Sequence, residues 1–124
     1  MCRFKEINMR IVKYDEFLTF PNGTVYAEYN PSCFDEIRVK HDNINGRDFI
    51  FTPAVPTLMG TTNDMEYFAK LDEMQKTGVD VPFDFDCATR NAEYDKNQFY
   101  AVYSDDDVKN LCALLLGQDF DQTA

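Results

Sequence analysis

Hydrophobic and polar positions alternate in three short runs within the first half of the chain. Over 24–29, Val25, Ala27 and Tyr29 fall on one face and Thr24, Tyr26 and Glu28 on the other, the period of two that marks a strand. Over 36–41, Ile37 and Val39 read as inward, and Glu36, Arg38 and Lys40 as outward. A third strand is expected over 48–52. Asn30-Pro31-Ser32 turns the chain between the first two runs, and the 42–47 segment, with Asn45-Gly46, turns it again. Three closely spaced strands joined by turns predict an antiparallel meander. Before them, 14–20 reads as a short helix stopped by Pro21-Asn22-Gly23, and 1–8 as a loose extension without pattern.

In the second half, 53–60 reads as a loop with two prolines. Asn63 followed by Glu66 resembles a capping box and opens a helix, with Met65, Phe68, Leu71 and Met74 as its apolar stripe and Gly78 at its end. The 79–87 segment alternates: Val79, Val81, Phe83, Phe85 and Cys87 point one way, Asp80, Asp84 and Asp86 the other. Pro82 assigns that strand to a sheet edge or breaks it there. The polar 90–97 segment should loop, and 98–103 is the most hydrophobic strand. Ser104 then caps a closing helix whose Val108, Leu111, Cys112 and Leu115 share a face and which Gly117 ends. Residues 119–124 read as a frayed tail. The expectation is a single α+β domain over 9–118, an antiparallel sheet of four to five strands with two helices packed on one face.

A length of 124 residues suits one domain, and 44% hydrophobic residues, including eleven Phe and seven Tyr, supply a core. No apolar run approaches the roughly 20 residues of a membrane span, and the N-terminus lacks the apolar centre of a signal peptide, so a cytosolic location is expected. Cys2, Cys33, Cys87 and Cys112 are too widely spaced for a zinc site and read as free, buried thiols. His41, the only histidine, is expected at a strand end, with no partner for catalysis in view. The net charge of −10 repels nucleic acid and anionic membranes and favours basic protein partners.

Eight acids crowd the 80–107 segment: Asp80, Asp84, Asp86, Glu93, Asp95, Asp105, Asp106 and Asp107. Only Arg90 and Lys96 oppose them, so the segment holds −6 of the net charge. On an extended strand Asp84 and Asp86 stand about 6.6 Å apart, close to the roughly 6.8 Å of two steps along a DNA strand. These eight are therefore the candidate partner-binding residues. A competing reading makes them the solvent side of a half-buried strand, with Asp105 to Asp107 complementing a helix dipole. Asp84-Phe85-Asp86 has a metal-binding form, but no third ligand, phosphate loop or nucleophile motif accompanies it. No cofactor, metal or catalytic residue is expected, and the chain reads as a binding protein. Tyr26, Tyr29, Tyr100 and Tyr103 offer an alternative as base-stacking groups of a nucleotide site, against a simpler role in sheet packing.

Tyr14-Asp15-Glu16-Phe17-Leu18 with Pro21-Asn22-Gly23-Thr24-Val25-Tyr26, and Phe83-Asp84-Phe85-Asp86 with Tyr100-Ala101-Val102-Tyr103, resemble patterns in small uncharacterised phage and prophage proteins. The resemblance covers the chain from Met9 onward and carries no catalytic residue. It implies an accessory protein of a bacterial virus acting in the host cytoplasm. Small acidic proteins of that kind inhibit host machinery, CRISPR effectors included. The expected function is therefore an acidic inhibitor that covers the basic nucleic-acid-binding surface of a defence enzyme such as a Cas nuclease. The alternative is a protein that binds a nucleotide or signalling molecule, sequestering or degrading it.

Overall fold

A computed structural model describes residues 8–118; the expected N-terminal extension, but for residue 8, and the frayed tail lie outside them. The chain runs β1 (Arg10–Lys13), α1 (Tyr14–Phe17), β2 (Val25–Asn30), β3 (Cys33–Ile44), β4 (Asp48–Pro53), β5 (Thr57–Leu58), α2 (Asp64–Thr77), β6 (Phe83–Asp84), β7 (Thr89–Arg90), β8 (Phe99–Val102) and α3 (Asp105–Leu116). Six strands form one antiparallel sheet in the order β1-β8-β2-β3-β4-β7, and β5 pairs with β6 in a second, two-stranded sheet.

The α+β class and the β2-β3-β4 meander agree with the sequence. The strand count and the helix packing differ. β1 shows no period of two, because Ile11 and Val12 are adjacent; it forms against β8, with Ile11 opposite Ala101 and Val12 opposite Tyr100. The alternating 79–87 segment contributes only Phe83 and Asp84 to a ladder. Their partners are Leu58 and Thr57, from the stretch expected to be a loop.

The core is an aromatic cluster on one face of the large sheet. α1 is a single turn that buries Tyr14 and Phe17. Phe17 stacks on Tyr100 at 4.3 Å between ring centroids, with Tyr26 at 4.6 Å and Phe49 at 5.2 Å. Val12, Phe51 and Val102 complete the cluster. Aromatic pairs at such distances add about 0.5–1.5 kcal/mol each to the burial of their area.

β3 faces the opposite way from its charge pattern. Ile37 and Val39 were the expected inward pair, yet Arg38 and Lys40 lie on the core face, and Lys40 is only 2% exposed. Register dictates this: Arg38 pairs with Tyr26 and Lys40 with Phe51, whose faces are set by the aromatic cluster, and the period of two leaves no other orientation. The rings tolerate the cations. The Arg38 guanidinium lies 4.3 Å from the Phe51 centroid, and the Lys40 ammonium 6.0 Å from both Phe17 and Phe49.

The helices are not gathered on one face. α1 sits on the aromatic face. At α3, Asp107 and Asn110 border a cleft of about 280 Å³ with Ala101, which alternates with Tyr100 and so points to the opposite side. α3 starts at Ser104 in a full capping box with Asp107 and ends at Gly117 in the left-handed region, both as expected. Its expected inward face holds only in part: Val108 and Leu111 are half-buried, Cys112 and Leu115 are exposed, and Ala113 is buried. The cysteines depart from expectation in the same way: Cys33 and Cys112 are exposed and Cys87 half-buried, all three as free thiols, and Cys2 lies outside the described residues.

Candidate functional site

Between β4 and β7 the chain leaves the large sheet and builds an arm, residues 55–87, from β5, α2 and β6. α2 begins where expected: the Asn63 side chain accepts from the Glu66 amide at 2.9 Å, and Glu66 Oε1 accepts in turn from the Thr62 amide and hydroxyl at 2.7 Å. Gly78, at φ 71°, closes it. Within the helix, Lys70 pairs with Glu73 at 2.8 Å and Lys76 with Asp72 at 3.0 Å.

Its apolar stripe does not pack inward. Met65 is 84% exposed and Phe68 63%, Leu71 is also exposed, and no residue of α2 is buried. The half-buried residues are Tyr67, Lys70 and Met74, so the helix is rotated about its axis from the expected setting. β6 adds to the exposed surface. Phe83 and Phe85 form an edge-to-face pair at 5.8 Å and are 58% and 64% exposed. Val55, Met59 and Val79 are exposed as well. Leu58 is the arm's buried anchor. A cleft of about 430 Å³, lined in part by Tyr67, Thr57 and Cys87, separates the N-terminus of α2 from this small sheet.

The eight sequence-selected acids fall into three groups. Asp80, Asp84 and Asp86 belong to the arm, where the Asp84 carboxylate accepts from the Asp86 amide at 2.9 Å. None of these three forms an ion pair with a described lysine or arginine. The arm as a whole carries seven acids against Lys70 and Lys76, a net −5, and both lysines are already paired within α2. Glu93 and Asp95 lie on a strap, residues 91–98, that crosses toward the aromatic face. Asp95 closes a turn onto the Asn97 amide at 2.9 Å, while Glu93 reaches Glu28. Asp105, Asp106 and Asp107 form the first turn of α3, with Asp107 committed to the capping box. Glu93 meets Glu28, on the Tyr100 side of the sheet, whereas Asp107 borders Ala101, on the other side. The sheet therefore lies between members of the set, and Asp80, Asp84 and Asp86 are the three brought together by one unit.

Residues that the sequence did not single out hold the strap. Asp48 is buried. Its carboxylate receives Arg90 Nε at 2.5 Å and the Ala92 amide at 3.0 and 3.2 Å. Burial pushes this carboxyl up, but the hydrogen bonds from Arg90 and from the Phe49 and Ala92 amides outweigh it and hold it below its ordinary value. The guanidinium groups of Arg47 and Arg90 flank the Tyr94 ring at 5.2 and 5.8 Å. At the far end, Gln98 donates to the Tyr29 carbonyl at 3.2 Å. An isolated acid after a turn is a common surface pattern, so nothing local distinguishes Asp48 as buried.

Of the tyrosines considered for base stacking, Tyr26 and Tyr100 are fully buried beneath Phe17 and present no free ring face. Burial raises both hydroxyls well above the usual phenolic range. His41 lies within β3 rather than at a strand end, its Nε2 2.7 Å from Thr52 Oγ1. Among the described residues no group of three or more His, Cys, Asp or Glu is placed to hold a metal ion, and no helix is long and apolar enough to cross a membrane. Comparison with protein-family models, with curated proteins and with solved structures returns no match.

Proposed function

We propose that this is a binding protein whose arm docks on a basic, nucleic-acid-binding surface of a second protein. The observation that carries the reading is that the arm exposes both the apolar stripe of α2 and the Phe83–Phe85 pair, and also carries Asp80, Asp84 and Asp86 without an ion pair to a described lysine or arginine. Met65, Phe68, Phe83 and Phe85 supply apolar area for contact, and Asp80, Asp84 and Asp86 supply negative charge, the two ingredients of an interface with an apolar core and polar surround. The arm's net −5 selects a cationic counterpart. A nucleic-acid-binding groove is the common protein surface that is strongly basic and also presents aromatic or apolar stacking groups. The resemblance to phage accessory proteins narrows the partner to a host defence enzyme, with a Cas nuclease as the first candidate.

The acidic surface so proposed is smaller than the sequence alone would draw. Asp95 closes a turn of the strap and Asp107 the cap of α3, and the proposed contact falls to the arm carboxylates. The test is binding to a panel of purified Cas nucleases, each with and without guide RNA. Binding to the empty enzyme that falls about tenfold or more with guide bound, with raised salt, and in the Asp80→Asn/Asp84→Asn/Asp86→Asn variant supports the reading. Binding indifferent to guide, salt and the triple variant contradicts it, as does no binding to any member.

A further inference from the structure

The cleft beside the N-terminus of α2 has a lining of one consistent chemistry. Its volume of about 430 Å³ falls in the lower part of the range for ligand clefts, roughly 300–1,000 Å³, which suits a single side chain or small molecule rather than a helix. Pro53 and Pro56 give it apolar walls, Tyr67 a ring and Asp64 a carboxylate. None of the residues that line it is a lysine, arginine or histidine.

The threonine hydroxyls of that lining have already spent their protons. Thr61 Oγ1 donates to the Leu58 carbonyl at 2.8 Å and Thr62 Oγ1 to Glu66 Oε1 at 2.7 Å, so both oxygens offer a ligand lone pairs only. Asp64 forms no ion pair with a described lysine or arginine, and an ionised carboxylate likewise only accepts. A ligand matched to these groups brings hydrogen-bond donors. The Tyr67 ring meets Phe68 in a T-shaped contact at 5.6 Å, and no described cation lies over it. Asp64 and Tyr67 are three residues apart on α2, which makes their side chains neighbours on one face, with Cβ atoms about 5–6 Å apart. The positive end of the helix dipole, about half a charge, works against a cation here. Asp64 and Glu66 outweigh it with two carboxylates in the same turn. Hydrogen bonds from the Thr62 hydroxyl and amide hold the Glu66 carboxyl below its ordinary value, so it stays charged.

We propose that this cleft receives an arginine side chain of the docked partner, its guanidinium against the Asp64 carboxylate and the Tyr67 ring, its methylene stem along Pro53 and Pro56. The chemistry selects arginine over lysine. A guanidinium is planar, carries five donors, stacks on aromatic faces and is more weakly hydrated than an ammonium, and a carboxylate beside an aromatic ring serves each of those properties. A phosphate or carboxylate ligand would set acceptors against acceptors in an arm of net charge −5. The inference rests on the docking reading for the source of the arginine. It adds a distinct contact to that reading, because the cleft is lined by none of Met65, Phe68, Phe83, Phe85, Asp80, Asp84 and Asp86. Its preference for a guanidinium is measurable with no partner protein present.

The experiment is an NMR titration of the full chain with N-acetyl-arginine methylamide, at about 150 mM salt to screen diffuse attraction. The Tyr67 ring and the 61–64 amides are followed. The expected result is saturable shifts at both, with affinity at least about threefold above that of the matching lysine and norleucine derivatives. Tyr67→Leu and Asp64→Asn should each weaken the arginine derivative about threefold or more. Asp72→Asn removes an equal charge from α2 outside the cleft and should leave the affinity within about twofold. No saturable shift at Tyr67 would overturn the inference. Equal affinity for the lysine or norleucine derivative would do the same, as would a loss in Asp72→Asn as large as that in Asp64→Asn. Guide-sensitive nuclease binding together with a failed arginine titration strikes the cleft and leaves the docking reading standing. An arginine derivative seated in the cleft, with no nuclease bound by the arm, strikes the docking reading instead.

Discussion

The large sheet and the arm use the same kinds of residue to opposite ends. In the sheet, Phe17, Tyr26, Phe49 and Tyr100 close on one another, and even two cations are drawn in among the rings. In the arm, Met65, Phe68, Phe83 and Phe85 point to solvent, and α2 contributes no buried residue to the fold. A 14-residue helix with no fully buried residue draws little stability from packing, and alone it is near the limit of stability in water. Its cap adds about 1 kcal/mol, and each of its two intrahelical ion pairs about 0.2–0.5 kcal/mol. Elements of low local stability are those from which binding surfaces are drawn. The comparison assigns stability to the sheet, and under the proposed function recognition falls to the arm.

Matched substitutions break or sharpen that division. Phe17→Ala removes the ring at the centre of the cluster and should cost about 3–5 kcal/mol, whereas Phe68→Ala on α2 should stay within about 0.5 kcal/mol of the unmodified protein. Urea denaturation of the pair measures both, and equal losses would erase the distinction. Asp48→Ala leaves the Ala92 amide and Arg90 without their acceptor and should cost about 2–3 kcal/mol at neutral pH. Because the Asp48 carboxyl is held below its ordinary value, its contribution is present above the unfolded value and lost as pH falls through the folded one. The gap between variant and parent, followed by thermal melts, should therefore close in acid. Lys40→Met should gain about 1 kcal/mol. Burial lowers the Lys40 ammonium, and the nearby Asp42 charge only partly opposes this. The destabilisation by Lys40 is thus full below its folded value and relieved as pH rises toward its unfolded one, so the advantage of methionine should shrink in alkali. Smallest of all, the combined Met65→Ser/Phe83→Ser variant should leave the melting temperature nearly unchanged while weakening partner binding about tenfold or more.

Much of the sheet was legible because its signals were local. The turns at Asn30-Pro31-Ser32 and Asn45-Gly46, the alternation in 24–29, and the Ser104 and Gly117 boundaries of α3 each follow from a few adjacent residues. The inversion of β3 was not legible. Charge argued that Arg38 and Lys40 face water, and only the cross-strand register with Tyr26 and Phe51 reverses that. The α2 stripe was read correctly as a stripe and wrongly as inward, because period reports which residues share a face and not what that face meets. The acids of the 80–107 segment were likewise visible as a group. Their division among arm, strap and cap depends on β7 returning to the edge of the large sheet, a long-range pairing that no local pattern signals. The role of Asp48 is hidden from the sequence for the same reason, since burial rather than residue type gives it that role.

Hydrogen exchange by mass spectrometry, on the full chain alone and bound to an empty Cas nuclease, tests the division of labour most directly. The account predicts that α2 amides exchange at least about 100-fold faster than those of β2 and β8 in the free protein. It also predicts that binding protects 64–77 and 80–86 while leaving the sheet as it was. Exchange of α2 as slow as that of the sheet, or protection gained at 105–107 and nowhere on the arm, would contradict it.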